Sequence, residues 1–334
     1  MNRHIIFFCL SLLYLLPFSI HAKPTDKIIF INPDNEKELL ETSIQDTRNT
    51  QLVFTHSEDI WHFAVQPDGP YIVFIAKYIF DVDVFLYDRT KPSEPARNLT
   101  QQKHESATHV DISKDGDIVF INSVTGEDED PHNLPDVGIN LIRHSELHKN
   151  TPKIKLLVSP KSNPHSATWS PDANHIAYGI VPMPGFNLPD VGVYIFDVNS
   201  SRVTKISDTG YSPTFSPDSK KLAFHLRDKI ILTEPREWAS QHIIPLDIRA
   251  GGDLKWSPDG KYIIYGTFGL GPVATNLVDS SQTILFERSD RLIWITFDWV
   301  HTEAYPVEPA GRMIIPWGTL KNKQENLLTP ITVP

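Results

Sequence analysis

The sequence predicts an all-β fold, six four-stranded antiparallel blades set about an axis as a β-propeller. Three observations predict it: one short phrase recurs six times, its copies lie 41 to 57 residues apart, and strand-length apolar runs follow the first five copies. The phrase is an apolar anchor, a Ser-Pro-Asp-Gly-like turn, then a β-rich run. Its clear copies are Trp169-Ser170-Pro171-Asp172, Phe215-Ser216-Pro217-Asp218 and Trp256-Ser257-Pro258-Asp259-Gly260. Val65-Gln66-Pro67-Asp68-Gly69 and Ile112-Ser113-Lys114-Asp115-Gly116 are weaker copies, and Trp299-Val300-His301-Thr302 has lost the turn.

In chain order, residues 1–22 read as a cleavable secretory signal peptide. Arg3 supplies the charge, Ile5 to Leu16 the apolar run, and Ile20-His21-Ala22 the processing site. Such a run is too short for a spanning helix. The one cysteine, Cys9, falls in this leader, so the mature chain has no disulfide, thiolate nucleophile or cysteine metal site. Of the 31 basic residues only Arg3 is lost with it, leaving the mature chain more acidic than the −10 of the whole. That charge repels phosphate backbones and excludes nucleic acid as a partner. The expected location is periplasmic or secreted.

The propeller is expected over residues 23–310, with 311–334 as a C-terminal tail. Proline presets the first corner of each turn, and Asp-Gly supplies the local hydrogen bonds and left-handed backbone that close it. Second strands follow at Tyr71 to Ala76, Ile118 to Asn122, Ile176 to Ile180, Leu222 to Leu226 and Tyr262 to Thr267. Third strands follow at Val84 to Asp88, Ile139 to Arg143, Val193 to Asp197 and Lys229 to Thr233. Fourth strands are read at Arg97 to Thr100, Lys155 to Val158, Val203 to Ile206 and Ile243 to Leu246. Lys27 to Ile31 and Gln51 to Phe54 have no anchor before them, and Trp299 has little strand after it. The ring is therefore expected to close by N-terminal strands completing the sixth blade, which removes the open sheet edge. The tail then lies outside the ring or adds one outer strand.

These phrases resemble the TolB-like, WD40-like propeller repeat, and the resemblance spans roughly residues 27 to 310. It implies the fold and says little about function. Too few residues precede the first blade for the α/β domain that TolB-like proteins carry there.

With strands lettered A to D from centre to rim, the A–B and C–D turns share one face and read as tight scaffold. The B–C loops and D–A crossovers share the other. There Ser123 to Asp136 (with the acidic run Glu127 to Asp130), Val181 to Asp190 and Phe268 to Gln282 read as insertions. Long loops on a rigid scaffold usually carry binding, which places the functional surface on this face. Asn133-Leu134-Pro135-Asp136-Val137-Gly138 recurs as Asn187-Leu188-Pro189-Asp190-Val191-Gly192. It reads as a shared turn or as paired ligand contacts through Asp136 and Asp190.

His62, His109 and Asp253 each stand six residues before a turn aspartate, which places them on innermost strands at the channel mouth. His104 and His165 fall in crossovers on the same face. His62, His109 and His165 are the candidate metal ligands, for a divalent cation; the alternative is polar lining of a wet channel. His144 and His148 have i, i+4 spacing, but their surroundings read as strand and turn, so the spacing carries no site. Glu127 to Asp130 lacks calcium-loop spacing and reads as a solvated acidic loop. Nucleophile elbows, His-Glu-x-x-His and Gly-rich phosphate loops are absent. The expected function is a non-catalytic module that binds a protein or glycan through the long-loop face. The alternative is a metal-dependent enzyme acting on acidic polysaccharide, implied by resemblance to propeller lyases.

Overall fold

A computed structural model describes residues 27–316, apart from 79–80, 102–105, 124–137, 160–163, 182–189, 227, 235–236, 248, 268–270, 286–295 and 302–313. The leader, the acidic run, Asp136 and His104 lie outside the described residues. The chain folds as six antiparallel blades in a propeller ring, as the repeat predicts. No helix among the described residues is long and apolar enough to cross a membrane.

Blade one is built from Ile60–Val65, Tyr71–Tyr78, Asp81–Asp88 and Arg97–Asn98, and blade two from Ser106–Ile112, Ile118–Ser123, Gly138–Ile142 and Ile154–Val158. One parallel bridge, Val82 to Ser106, joins these two blades into a continuous sheet. Blade three is Pro164–Trp169, His175–Ile180, Gly192–Asp197 and Val203–Ser207, and blade four Tyr211–Phe215, Leu222–Leu226, Lys229–Glu234 and Glu237–Pro245. Blade five is Ala250–Trp256, Tyr262–Thr267, Val273–Asn276 and Gln282–Ile284. Val273–Asn276 lies inside the stretch Phe268 to Gln282 expected to be a loop insertion, and Gln282–Ile284 begins at its last residue. The sequence there offers only short runs; pairing of Val273–Asn276 with Tyr262–Thr267, and of Gln282–Ile284 with Val273–Asn276, decides their state.

Closure follows the expectation. Phe297–Trp299 is the inner strand of blade six, and Lys27–Ile31 pairs directly against it. Glu38–Ser43, which the strand reading missed, and Asp46–Thr55 complete the blade. Ile314–Pro316 adds a fifth, outer strand beside Asp46–Thr55, one of the two places expected for the tail.

The core is six apolar layers, one between each pair of neighbouring blades. Blade one shows how the sequence writes this: Val73 and Ile75 pack toward blade two, while Ile72, Phe74 and Ala76 pack toward blade six. A period of two with apolar residues on both faces is what a sheet buried on both sides requires. The layer closing the ring joins Ile28, Phe30, Leu40, Phe297 and Trp299 to Ile264, Ala274 and Leu285 of blade five.

The turns hold by one repeated device. Ser170, Ser216 and Ser257 each donate their hydroxyl to the aspartate two residues on and accept the amide five residues on. The fourth turn residue is left-handed in blades two to five, at Gly116, Ala173, Ser219 and Gly260. In blade one the left-handed residue is Asp68 instead, since Pro70 restricts the backbone of the residue before it.

The repeated hexapeptides end alike. Gly138 and Gly192 have φ of +137° and +143°, and a Cβ there would meet the carbonyl oxygens of Val158 and Ser207 at 2.2 Å. Each glycine thus lets strand C start tight against the end of strand D, which supports the shared-turn reading. His144–Glu146 is a short 3-10 turn that follows the strand Gly138–Ile142, as the strand-and-turn reading has it.

Candidate site in the central channel

Every inner strand runs from the crossover face to the tight-turn face, so the repeat places its side chains in rings. Three residues before the anchor stand His62, His109, Ser166, Ser212, Asp253 and Thr296. One residue before it stand Ala64, Asp111, Thr168, Thr214, Lys255 and Asp298. Apart from Ala64, which packs in the apolar layer between blades one and two, both sets face the channel because they share one face of the strand, while the intervening Phe63, Val110 and Leu254 enter the apolar layers.

Nearer the crossover face, His62, His109 and Asp253 meet, with ligand-type atoms all within 4.8 Å of one another. His62 Nε2 lies 2.8 Å from Asp253 Oδ2 and His109 Nε2 lies 3.6 Å from Oδ1; the two imidazoles, tilted by 38°, have centroids 3.9 Å apart. The Nδ1 atoms are used elsewhere. His62 Nδ1 accepts the Val110 amide and His109 Nδ1 accepts the Ala167 amide, both at 3.4 Å and both from the next blade. Accepting at Nδ1 leaves the proton on Nε2, which then donates to Asp253. The cluster is therefore a hydrogen bond from His62 Nε2 to Asp253, with His109 Nε2 3.6 Å from the same carboxylate. Burial and the neighbouring His62 hold His109 below the ordinary imidazole range. Burial alone would raise Asp253, but His109 and His62 outweigh it and hold the carboxyl well below the usual range.

This donor set does not fit a resident metal. A metal on Nε2 requires the proton on Nδ1, where a carbonyl or carboxylate normally receives it. Here Nδ1 of both rings faces a backbone N–H, so loading a cation would set donor against donor twice.

His165, the third ligand expected from sequence, is not in that cluster. It is exposed at the mouth, close enough to Asp253 and His109 to feel both, and its surroundings lower its pKa, chiefly by desolvation. Trp61, Thr108 and His165 hold the same repeat position, and in all three blades the inner strand bulges there. A bulge re-aims a side chain. All three are exposed, Trp61 at 51%, an unusual figure for an indole on an inner strand. Asp190 lies at the start of strand C in blade three, two strands from the channel, or roughly 10 Å at ordinary sheet spacing. Its carbonyl accepts the Tyr194 hydroxyl; the structure does not bring it to the His–Asp cluster.

Below the cluster the channel pinches to a cavity of about 10 Å³ among His109, Ser166, Ser212, Asp253 and Lys255. The second ring then stitches blades. Asp298 accepts the Val65 amide of blade one at 2.8 Å and the Trp299 amide at 2.9 Å, and sits 3.5 Å from Lys255 Nζ. Asp111 Oδ2 accepts the Trp169 amide and the Thr168 hydroxyl of blade three, both at 2.7 Å. Sequence reasoning passed over these residues. The available signal was charge at Asp111, Lys255 and Asp298, one position before an apolar anchor.

Beyond this ring a cavity of about 450 Å³ opens on the tight-turn face, lined by residues of all six blades. The sequence reading assigned that face to scaffold alone; the turns are tight, but their inner ends leave a funnel. The loops of the crossover face fall largely outside the described residues, so its expected long-loop surface is not seen.

One pH dependence follows. His225 in strand B of blade four is buried, donates to the Gly252 carbonyl at 3.1 Å and has, among the described residues, no partner for Nδ1. Burial, opposed by that carbonyl and by Asp253, pushes it down to about 4. The unfolded chain takes up this proton near pH 6.5 and the folded chain does not. Stability is thus complete above pH 6.5 and falls toward pH 4, by about 3 kcal/mol for this group alone. Urea unfolding across that range should show the loss, and His225→Gln should reduce it.

No family model and no curated sequence matches the chain. Solved structures do. TolB from Acinetobacter baumannii aligns over 82% of this chain at 16% identity with a TM-score of 0.63. The match covers 66% of the TolB chain, so this protein spans about two thirds of it. A chain of a nidogen/laminin complex aligns over 81% of this chain and 97% of its own at 11% identity, with a TM-score of 0.62. Oligogalacturonate lyase from Vibrio parahaemolyticus aligns over 80% and 81% at 13% identity, with a TM-score of 0.53. At these identities the likeness is one of fold.

Proposed function

We propose that this chain, with the six-bladed fold it shares with TolB, is an exported, non-catalytic module that captures a protein or glycan partner on its crossover face. The carrying observation is the mouth of the channel there, where bulges on three inner strands leave Trp61, Thr108 and His165 exposed in front of the His62–His109–Asp253 cluster. An exposed indole beside fixed donors and an acceptor is recognition chemistry: the ring offers apolar area and the cluster fixes orientation. Among structures of this fold, one is a nidogen/laminin complex and one a lyase of oligogalacturonate, so both partner classes have precedent on the scaffold. The leader-like residues 1–22 support a periplasmic or secreted location.

The mature chain, immobilised on a chip, should capture a defined glycan from an array or an envelope protein identified by mass spectrometry. Trp61→Ala should abolish capture with the fold intact by circular dichroism. Undiminished capture by Trp61→Ala would show that the surface is misassigned.

The reading as a metal-dependent lyase is favoured by the His62–His109–Asp253 cluster and opposed by its tautomers. Millimolar manganese, calcium or zinc should leave the melting temperature unchanged, and purified protein should carry no stoichiometric metal. A stoichiometric cation lost on His62→Ala would restore the enzymatic reading.

A further inference from the structure

The funnel on the tight-turn face is unlike the crossover mouth. Its rim is Pro67, Pro171, Pro217 and Pro258, and behind them the largely buried anchors Trp169, Phe215 and Trp256 reach the cavity with 6–8% of their surface, Trp299 with 1%. A volume of about 450 Å³ falls within the range of small-molecule sites, and such sites pair apolar walls with a few convergent polar groups. Two such groups stand at its floor, and both have capacity left.

Asp111 is 7% exposed, yet its Oδ2 is occupied, by Trp169 N and Thr168 Oγ1, while among the described residues no hydrogen bond or ion pair involves Oδ1. The carboxylate is held rigidly by one oxygen while the other stays able to accept. Lys255 is nearly as enclosed. Its ammonium has three donors and a single close carboxylate, Asp298 Oδ1 at 3.5 Å. A carboxylate and an ammonium thus stand side by side under an aromatic and proline wall.

We propose that this funnel is a second binding site, for a small zwitterion with an apolar side chain, of which a free amino acid is the simplest example. The ligand's ammonium meets Asp111 Oδ1, its carboxylate meets Lys255 Nζ, and its side chain lies against the indoles and prolines. A pure cation would face Lys255 and a pure anion would face Asp111 and Asp298, so either half alone meets like charge. An internal residue of a peptide offers neither head group.

The test uses the mature chain and three probes by calorimetry: L-phenylalanine, N-acetyl-L-phenylalanine without the ammonium, and L-phenylalaninamide without the carboxylate. Phenylalanine should bind, and each blocked form should bind roughly tenfold or more weakly, the loss of one charge-assisted hydrogen bond. Lys255→Met and Asp111→Asn should weaken phenylalanine by a similar factor, and Trp61→Ala should leave it unchanged, which separates this site from the crossover mouth. Should either substitution unfold the chain, the probe series on the unaltered protein still decides. No binding of phenylalanine, or equal binding of a blocked form, overturns the proposal.

Discussion

Asp298→Ala should destabilise the propeller by about 3–5 kcal/mol, the usual cost of leaving a buried charge without its partner. The carboxylate does three jobs across the seam where the last blade meets the first. It accepts the Val65 amide of blade one, accepts the amide of Trp299 beside it, and faces Lys255 of blade five. Removing it orphans two buried amides and leaves the Lys255 ammonium with only the more distant Asp111 and Asp253. Asp298, followed by those two, is what holds the Lys255 pKa above its ordinary value against burial, which would lower it. Lys255→Met should cost less, because Asp298 keeps both amides. The double variant should recover part of the Asp298→Ala loss, a coupling of about 0.5–3 kcal/mol. Urea unfolding of the four proteins measures it; purely additive losses would mean that the ion pair does not couple the seam.

Phe30→Asp should prevent a stable ring from forming. Phe30 is 1% exposed and packs in the layer between blades six and five, on a strand paired directly with Phe297–Trp299. Losing a buried aromatic side chain costs about 3–5 kcal/mol, and an unpaired carboxylate in the same place adds several more. The total rivals the 5–15 kcal/mol that a whole domain has to lose. The expected product elutes as aggregate, because opening this blade exposes the edge of Phe297–Trp299. Phe30→Leu keeps the layer apolar and should fold, at a cost of about 1.5 kcal/mol or less. Normal elution and a cooperative melt for Phe30→Asp would mean that Lys27–Ile31 does not hold the ring shut.

Blade number, strand order and ring closure were legible because the turn phrase is local chemistry. A proline, an aspartate and a left-handed residue close a hairpin whatever surrounds them, so their spacing counts blades. The same arithmetic put His62, His109 and Asp253 on one level of the channel, and they do meet. It could not separate Val273–Asn276 from a loop, because four residues without an anchor become a strand only when a neighbour supplies the hydrogen bonds. Nor could it find Glu38–Ser43, which alternates only weakly and is held between two partners.

What sequence alone determined, then, is everything carried by turns and by the two-residue period: the blades, their apolar faces and the register of their inner strands. The tertiary structure alone decided what the channel side chains do. Whether His62 offers a lone pair or a proton depends on the Val110 amide of another blade, and whether Asp111 is spent or open depends on Trp169. Those contacts arise only when the ring closes and each inner edge meets the side chains of the blade before it.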